Sequence, residues 1–372
     1  MAHLAGVCPL GKHHAFNANS SSFQKIFAKA NLFWKGKWLS SLAVYAGSSS
    51  QPRLLFGNQS NYGNIMTLKN GKKEIFVYEW PVESPKAIVQ IVHGMAEHAG
   101  RYEAFARFLN EHGYYVVADD HRGHGRTDEK SLGYAPKDMF EHTLSDEALI
   151  LETFQRKYAD TPVVVLGFSY GSFLTQHFLA RHGEDLAGAI VAGSSYKKDA
   201  EVYLGSAVAA LGCFFCGEKK PAKLIEKLSF GAYAKGFEGG AWLSTDDENN
   251  KAYKDDPFCG FTCSFRFYSD FFRGLRGLYT PAYTAKLRRD LPVLLISGAD
   301  DPVGARGKGV KKLYDFYTKQ AGMKNVKLKL FENSRHEFLN EKDGRAEKWG
   351  AVLAFLEETA GEPAVPAEEE KD

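Results

Sequence analysis

Val163-Val164-Val165-Leu166-Gly167-Phe168-Ser169-Tyr170-Gly171 runs from an apolar, β-branched stretch into a serine held between two glycines, and the amphipathic segment Ser172 to Arg181 follows directly. The order reads as a strand, a sharp turn with a serine at its apex, then a helix. A Cβ at Gly167 or Gly171 would crowd the neighbouring strand or helix, which is the steric reason for glycine at both places. The helix N-terminus behind the serine favours negative charge arising in front of it. The spacing G-x-S-x-G alone occurs by chance in many chains. Its context, and two further residues downstream, give it weight.

Working outward, apolar strands alternate with amphipathic helices. Strands are expected at Glu74 to Trp80, Ala87 to Val92, Tyr114 to Ala118, Pro162 to Leu166, Ala187 to Val191, Pro292 to Ile296 and Val326 to Phe331. Helices are expected from Tyr102 to about His112, and over Leu144 to Tyr158, Lys308 to Gln320 and Arg345 to Glu357. This alternation predicts an α/β fold with a mostly parallel central sheet and helices on both faces. It breaks between Ser195 and about Pro281, where Trp242 and many Phe and Tyr accumulate. The simplest account is a helical cap inserted over the strand ends, its aromatics mostly forming its own core. The expected organisation is therefore an extension over 1–63, a core over 64–195 and 282–360, a cap over 196–281 and an acidic tail over 361–372.

A serine hydroxyl is a weak nucleophile at neutral pH. It needs a base to take its proton and a carboxylate to fix the tautomer of that base. Both follow in the order acid, then histidine. After Val293-Leu294-Leu295-Ile296 comes Ser297-Gly298-Ala299-Asp300-Asp301-Pro302-Val303; after Val326 to Phe331 comes Glu332-Asn333-Ser334-Arg335-His336. Each lies just past a strand's C-terminal end, on the rim where Ser169 stands. Asp301 is preferred as the acid, with Asp300 as the alternative, and His336 is the base. The oxyanion that forms on attack needs fixed backbone donors; the amides of Tyr170 and Met95, in the loop His93-Gly94-Met95, are nominated.

Composition sets limits on the rest. The 372 residues carry a formal net charge of +2, which argues against nucleic acid as a general partner. No stretch is expected to reach the length of a transmembrane helix. Cys213-Phe214-Phe215-Cys216 with Cys259 and Cys263 makes a zinc site conceivable, but buried reduced thiols are the preferred reading, which points to a cytoplasmic location. His93, His98, His121 and His124 lie in upstream loops; a metal there is possible, yet serine chemistry requires no metal and no cofactor. From Met1 to Lys73 there is no acidic residue. An organellar transit peptide, a flexible extension, or upstream sequence with the true start at Met66 are the three readings, the last favoured.

His93-Gly94-Met95-Ala96-Glu97-His98-Ala99-Gly100-Arg101-Tyr102, Asp120-His121-Arg122-Gly123-His124-Gly125, the serine turn, and Gly298 to Val303 together resemble the monoacylglycerol lipase and lysophospholipase group of α/β-hydrolases. The resemblance runs from about residue 70 to 360. It implies a capped serine hydrolase acting on esters with one long acyl chain, a small lipid-like substrate, and a cap able to touch a membrane surface transiently. By the same resemblance Glu97 and Arg101 frame a polar head-group pocket, a role that competes with a structural ion pair beneath the oxyanion loop. Phe168 stands where these lipases usually carry histidine, and Ser172 where they usually carry glycine, so the substrate-binding position 168 departs from glycerol recognition. A lysophospholipid, a general carboxylic ester, or an amide remains open, as does a ligand-binding protein that kept the fold without the chemistry. Oligomeric state is not legible.

Overall fold

The computed structural model describes residues 63–360. The readings made for the N-terminal extension and the acidic tail lie outside the described residues, as does Cys8. Eight strands form one sheet: β1 (Asn64–Asn70), β2 (Lys73–Trp80), β3 (Ala87–Val92), β4 (Tyr114–Asp119), β5 (Val163–Phe168), β6 (Gly188–Ala192), β7 (Val293–Gly298) and β8 (Val326–Phe331). Their order is β1-β2-β4-β3-β5-β6-β7-β8. β2 runs antiparallel to β1 and β4, and every pairing from β4 to β8 is parallel. This is the expected α/β-hydrolase arrangement.

The helices are α1 (Glu103–Glu111), α2 (Met139–Lys157), α3 (Tyr170–His182), α4 (Ala200–Gly212), α5 (Lys223–Leu228), α6 (Phe230–Ala234), α7 (Asp247–Asp255), α8 (Phe265–Gly277), α9 (Pro281–Ala285), α10 (Lys308–Asp315) and α11 (Arg345–Ala360). Because successive side chains on a strand point to opposite faces, each central strand feeds two cores. Val163 and Val165 of β5 join one with Phe154, Leu174, Phe178 and Leu313; Val164 and Leu166 join the other with Phe105, Leu109, Val352 and Leu356. β6 and β7 are direct neighbours, so α4 to α8 form an excursion from the rim of adjacent strands.

Three sequence expectations need correction. β1 was not anticipated, because NIMTLKN is half exposed and weakly patterned; it exists through its pairing with β2. Met66 accordingly lies inside that strand, opposite Val77, rather than ahead of the first one. α2 starts five residues earlier than its apolar periodicity suggests, at Met139, whose amide donates to Asp270 Oδ2 at 3.1 Å from the distant α8. Finally, α4 and the π-helical turn Cys213–Gly217 that continues it make 18 residues, by length and composition enough to cross a membrane. Its apolar character is diluted among Ala and Gly and does not stand out as a linear run.

Candidate active site

Ser169 sits between β5 and α3 with φ 53° and ψ −115°, outside the regions that non-glycine residues ordinarily occupy. The flanking glycines make the turn possible. A Cβ on Gly167 would come 2.0 Å from Thr175 Oγ1, and one on Gly171 would come 1.9 Å from the Val92 carbonyl oxygen. Seating the chain this tightly against β3 aims the serine off the strand end, toward the loop after β8.

His336 comes from that loop and Asp301 from the loop after β7. The Ser169 hydroxyl donates to His336 Nε2 at 2.8 Å, and His336 Nδ1–H donates to Asp301 Oδ2 at 2.9 Å. Ser297 Oγ also donates to that oxygen at 3.1 Å, while Asp301 Oδ1 accepts the Val303 amide at 2.8 Å. The carboxylate is thus held by three donors and is fully buried, whereas Asp300 is exposed. Burial of the imidazole opposes its protonation, but the Asp301 carboxylate outweighs that and leaves the ring more basic than an ordinary histidine. Phe168 and Trp242 pack against the ring, with centroids 4.8 and 5.4 Å away.

Met95 and Ser169 line a cavity of about 200 Å³, walled by Phe230, Trp242, Tyr253 and Phe261 of the cap and by Phe168 and His336 below. Tyr170 is the first residue of α3, where the amides lack an intrahelical acceptor. Its side chain is buried, its ring among those of His121, His124, Phe267 and Phe271.

The loop that carries Met95 is braced by Glu97, which the sequence offered as a structural support there, and by Tyr102 and His124, which it did not single out for this work. Gly94 N–H donates to Glu97 Oε1 at 2.6 Å, and the Tyr102 hydroxyl donates to the same oxygen at 3.0 Å. Ala96, at φ 56°, donates its amide to His124 Nε2 at 3.2 Å. Burial, then the neighbouring His121, depress the His124 pKa to about 3, so the ring stays neutral and Nε2 keeps its lone pair. Motif spacing gave no sign of this: the partners are 28 residues apart.

Glu97 and Arg101 form an ion pair, one of the two roles the sequence left open, with Arg101 Nη1 2.6 Å from Glu97 Oε2. Arg101 also grips Glu337 through two bonds of 2.7 Å, and Tyr253 of α7 covers the guanidinium at 4.9 Å. Glu337 directly follows His336, so one guanidinium joins the Met95 loop, the histidine loop and the cap. Burial alone would raise the Glu337 carboxyl pKa, but Arg101 more than offsets this and holds it below the usual range. Glu97 and Glu337 both reach the cavity wall.

The four described cysteines do not converge. Cys213 and Cys216 lie on the π-helical turn and Cys259 and Cys263 sit elsewhere; against the expectation of buried thiols, only Cys263 is fully buried among them, Cys213 and Cys259 being half-buried and Cys216 exposed. Burial raises the thiol pKa of Cys213, Cys259 and Cys263, opposite to what thiolate ligation needs.

A mainly parallel sheet with helices on both faces, a serine turn after β5 and an acid and a histidine after β7 and β8 define an α/β-hydrolase. The chain belongs to the serine aminopeptidase S33 family of hydrolases, whose model matches residues 83–343. It is 27% identical over 264 residues to a monoacylglycerol lipase of Mycolicibacterium smegmatis, covering 70% of this chain and 85% of that one. A monoglyceride lipase of Mus musculus is 32% identical over 102 residues, covering 27% of this chain and 33% of the mouse protein. The crystal structure of a thermostable carboxyl esterase from Bacillus coagulans, in complex with glycerol, matches with a TM-score of 0.73 at 28% identity, over 80% of this chain and 99% of that one. The chain is thus a monoacylglycerol lipase-like hydrolase of the lipase and esterase type.

Proposed function

We propose that the chain is a serine hydrolase that cleaves carboxylic esters of single-acyl-chain lipids through an acyl-serine intermediate. The observation that carries this reading is the relay Asp301–His336–Ser169, with contacts of 2.9 and 2.8 Å, opening on a cavity walled by aromatic side chains. Ser169 Oγ attacks the ester carbonyl while His336 Nε2 takes its proton. His336 then returns the proton to the leaving alkoxide, and water repeats the cycle to release the acid. The Met95 and Tyr170 amides receive the oxyanion. The apolar walls hold an acyl chain, and Glu97 and Glu337 bring polar acceptors to the same cavity, suited to hydroxyls of a head group.

The substrate is proposed to reach the site from a lipid surface met by the cap. Phe214, Phe215, Leu204 and Leu228 are exposed by 81%, 75%, 67% and 66%. Such a patch with exposed Lys219, Lys220, Lys223 and Lys227 around it suits anionic headgroups.

The test is Ser169→Ala against wild type on p-nitrophenyl esters of graded chain length, beside amino-acid p-nitroanilides. Loss of ester turnover by at least about 10³-fold, with wild-type preference for long chains, is expected. Undiminished turnover by the variant rejects the serine mechanism, and preference for the anilides rejects the ester substrate.

A further inference from the structure

Asp119 at the end of β4, His121 two residues on, and Glu147 in α2 bring three ligand-type side chains together, one donor atom of each within 4.8 Å of the others. All three are buried, at 0%, 0% and 2% exposure. The serine relay uses none of them.

The hydrogen bonds around them decide which atoms remain free. The His121 amide donates to His93 Nε2 at 3.0 Å, so His93 carries its proton on Nδ1, which donates to the Gly94 carbonyl at 2.7 Å. His121 Nε2–H in turn donates to the His93 carbonyl at 3.2 Å. This leaves His121 Nδ1 facing Asp119 Oδ1 at 3.0 Å and Glu147 Oε1 at 3.2 Å. Neither approach has the direction of a hydrogen bond, and both Asp119 oxygens, Glu147 Oε1 and His121 Nδ1 lack a hydrogen-bond partner. Glu147 Oε2 is already served by Gln90 Nε2 at 2.7 Å, and Arg122, on the same loop, is committed to Asp146. Two carboxylates therefore converge with one imidazole nitrogen in the core.

We infer that Asp119, His121 and Glu147 bind one divalent first-row metal ion of the Zn²⁺ class. Donors each about 2.1 Å from one ion stand roughly 3.0–3.4 Å apart in octahedral or tetrahedral arrangement, which matches the 3.0 and 3.2 Å from His121 Nδ1 to the two carboxylate oxygens. One imidazole with two carboxylates suits Zn²⁺ or Mn²⁺, and two positive charges balance the two carboxylates. The ion is structural, with no open face toward the cavity. It ties β4 to α2 and fixes the ring of His121, which stacks on His93 at 3.7 Å and so supports the oxyanion loop.

The test uses the full chain with its affinity tag removed, purified without chelators. Elemental analysis should find about one equivalent of metal, or uptake of one Zn²⁺ after unfolding and refolding with zinc chloride, with a higher Tm than protein refolded in a chelator. The double variant Asp119→Asn, Glu147→Gln should lose that equivalent. Cys259→Ala, which removes the other converging group with His98 and Asp256, should keep it. Should the double variant not fold, wild type refolded with Co²⁺ decides: visible ligand-field bands without a sulfur-to-cobalt charge-transfer band support the site. Absence of metal in wild type with no uptake and no Tm shift overturns the inference and leaves the cluster held by protons, with an imidazolium at His121. Metal retained by the folded double variant overturns it equally.

Discussion

In the proposed mechanism His336 is the residue on which proton transfer turns, and its environment sets the pH at which activity should fail. It must be neutral at Nε2 to accept the Ser169 proton. Asp301 raises its pKa above the ordinary histidine value despite burial. Falling pH therefore protonates the ring and removes activity, with an acid-limb midpoint in kcat/KM above about 6.5. A pH–rate profile that stays flat down to about pH 5 would contradict the assignment. Asp301→Asn should lower kcat by about 10⁴, since the wrong tautomer then faces the serine. Gly171 is constrained differently. Its Cβ would meet backbone oxygens of both Val92 and His93, at 1.9 and 2.5 Å, and backbone cannot swing aside as a side-chain tip can. Gly171→Ala should cost about 3 kcal/mol or more, read as a lower urea midpoint.

At the scale of elements, the site depends on loops after several strands and on a cap helix, and Arg101 ties two of those loops, through Glu97 and Glu337, to that helix. Glu337 contributes two of the bonds to that guanidinium and accepts a third from Asn249 of α7 at 2.6 Å. Removing one member of a buried, hydrogen-bonded charge pair leaves the other exposed to the full desolvation cost. Glu337→Ala should thus destabilise by about 3–5 kcal/mol and lower kcat by misplacing His336, whereas Glu337→Gln should keep part of both. Urea unfolding with kinetics on a soluble ester separates the two effects; wild-type stability in the alanine variant would mean that Arg101 is satisfied elsewhere. This network also shows how far the sequence could be read. The order serine, acid, histidine, each after a strand, was visible because loops at one rim of a parallel sheet follow strand order. The bracing by His124, Glu337 and Asn249 was not, because those contacts span 28, 236 and 148 residues and carry no periodicity. β1 escaped for a related reason, its stability lying in its partner rather than in its own pattern.

Across the whole molecule, the sheet supplies a rigid rim and the cap supplies both a lid on the cavity and an outward apolar face. α4 packs one side against α8 through glycines: a Cβ on Gly205 would meet Phe272 at 2.4 Å, and one on Gly212 would meet Phe265 at 2.1 Å. Its other side, with Leu204, Leu211, Phe214 and Phe215, is exposed. On the proposed reading this helix, fixed along one face to its own cap, lies on a lipid surface with its exposed face. Exposed Lys219, Lys220 and Lys223 border the patch, so attachment should combine apolar insertion with attraction to anionic headgroups. The double substitution Phe214→Ser, Phe215→Ser should abolish sedimentation with phosphatidylserine-containing vesicles at low salt. Turnover of a water-soluble short-chain ester should stay within about twofold of wild type, because neither ring lines the cavity. Wild-type binding should weaken as salt rises and vanish on purely zwitterionic vesicles only in part, since the phenylalanines still insert. Equal sedimentation of variant and wild type would remove the cap face as the contact with lipid and leave the substrate to arrive from solution.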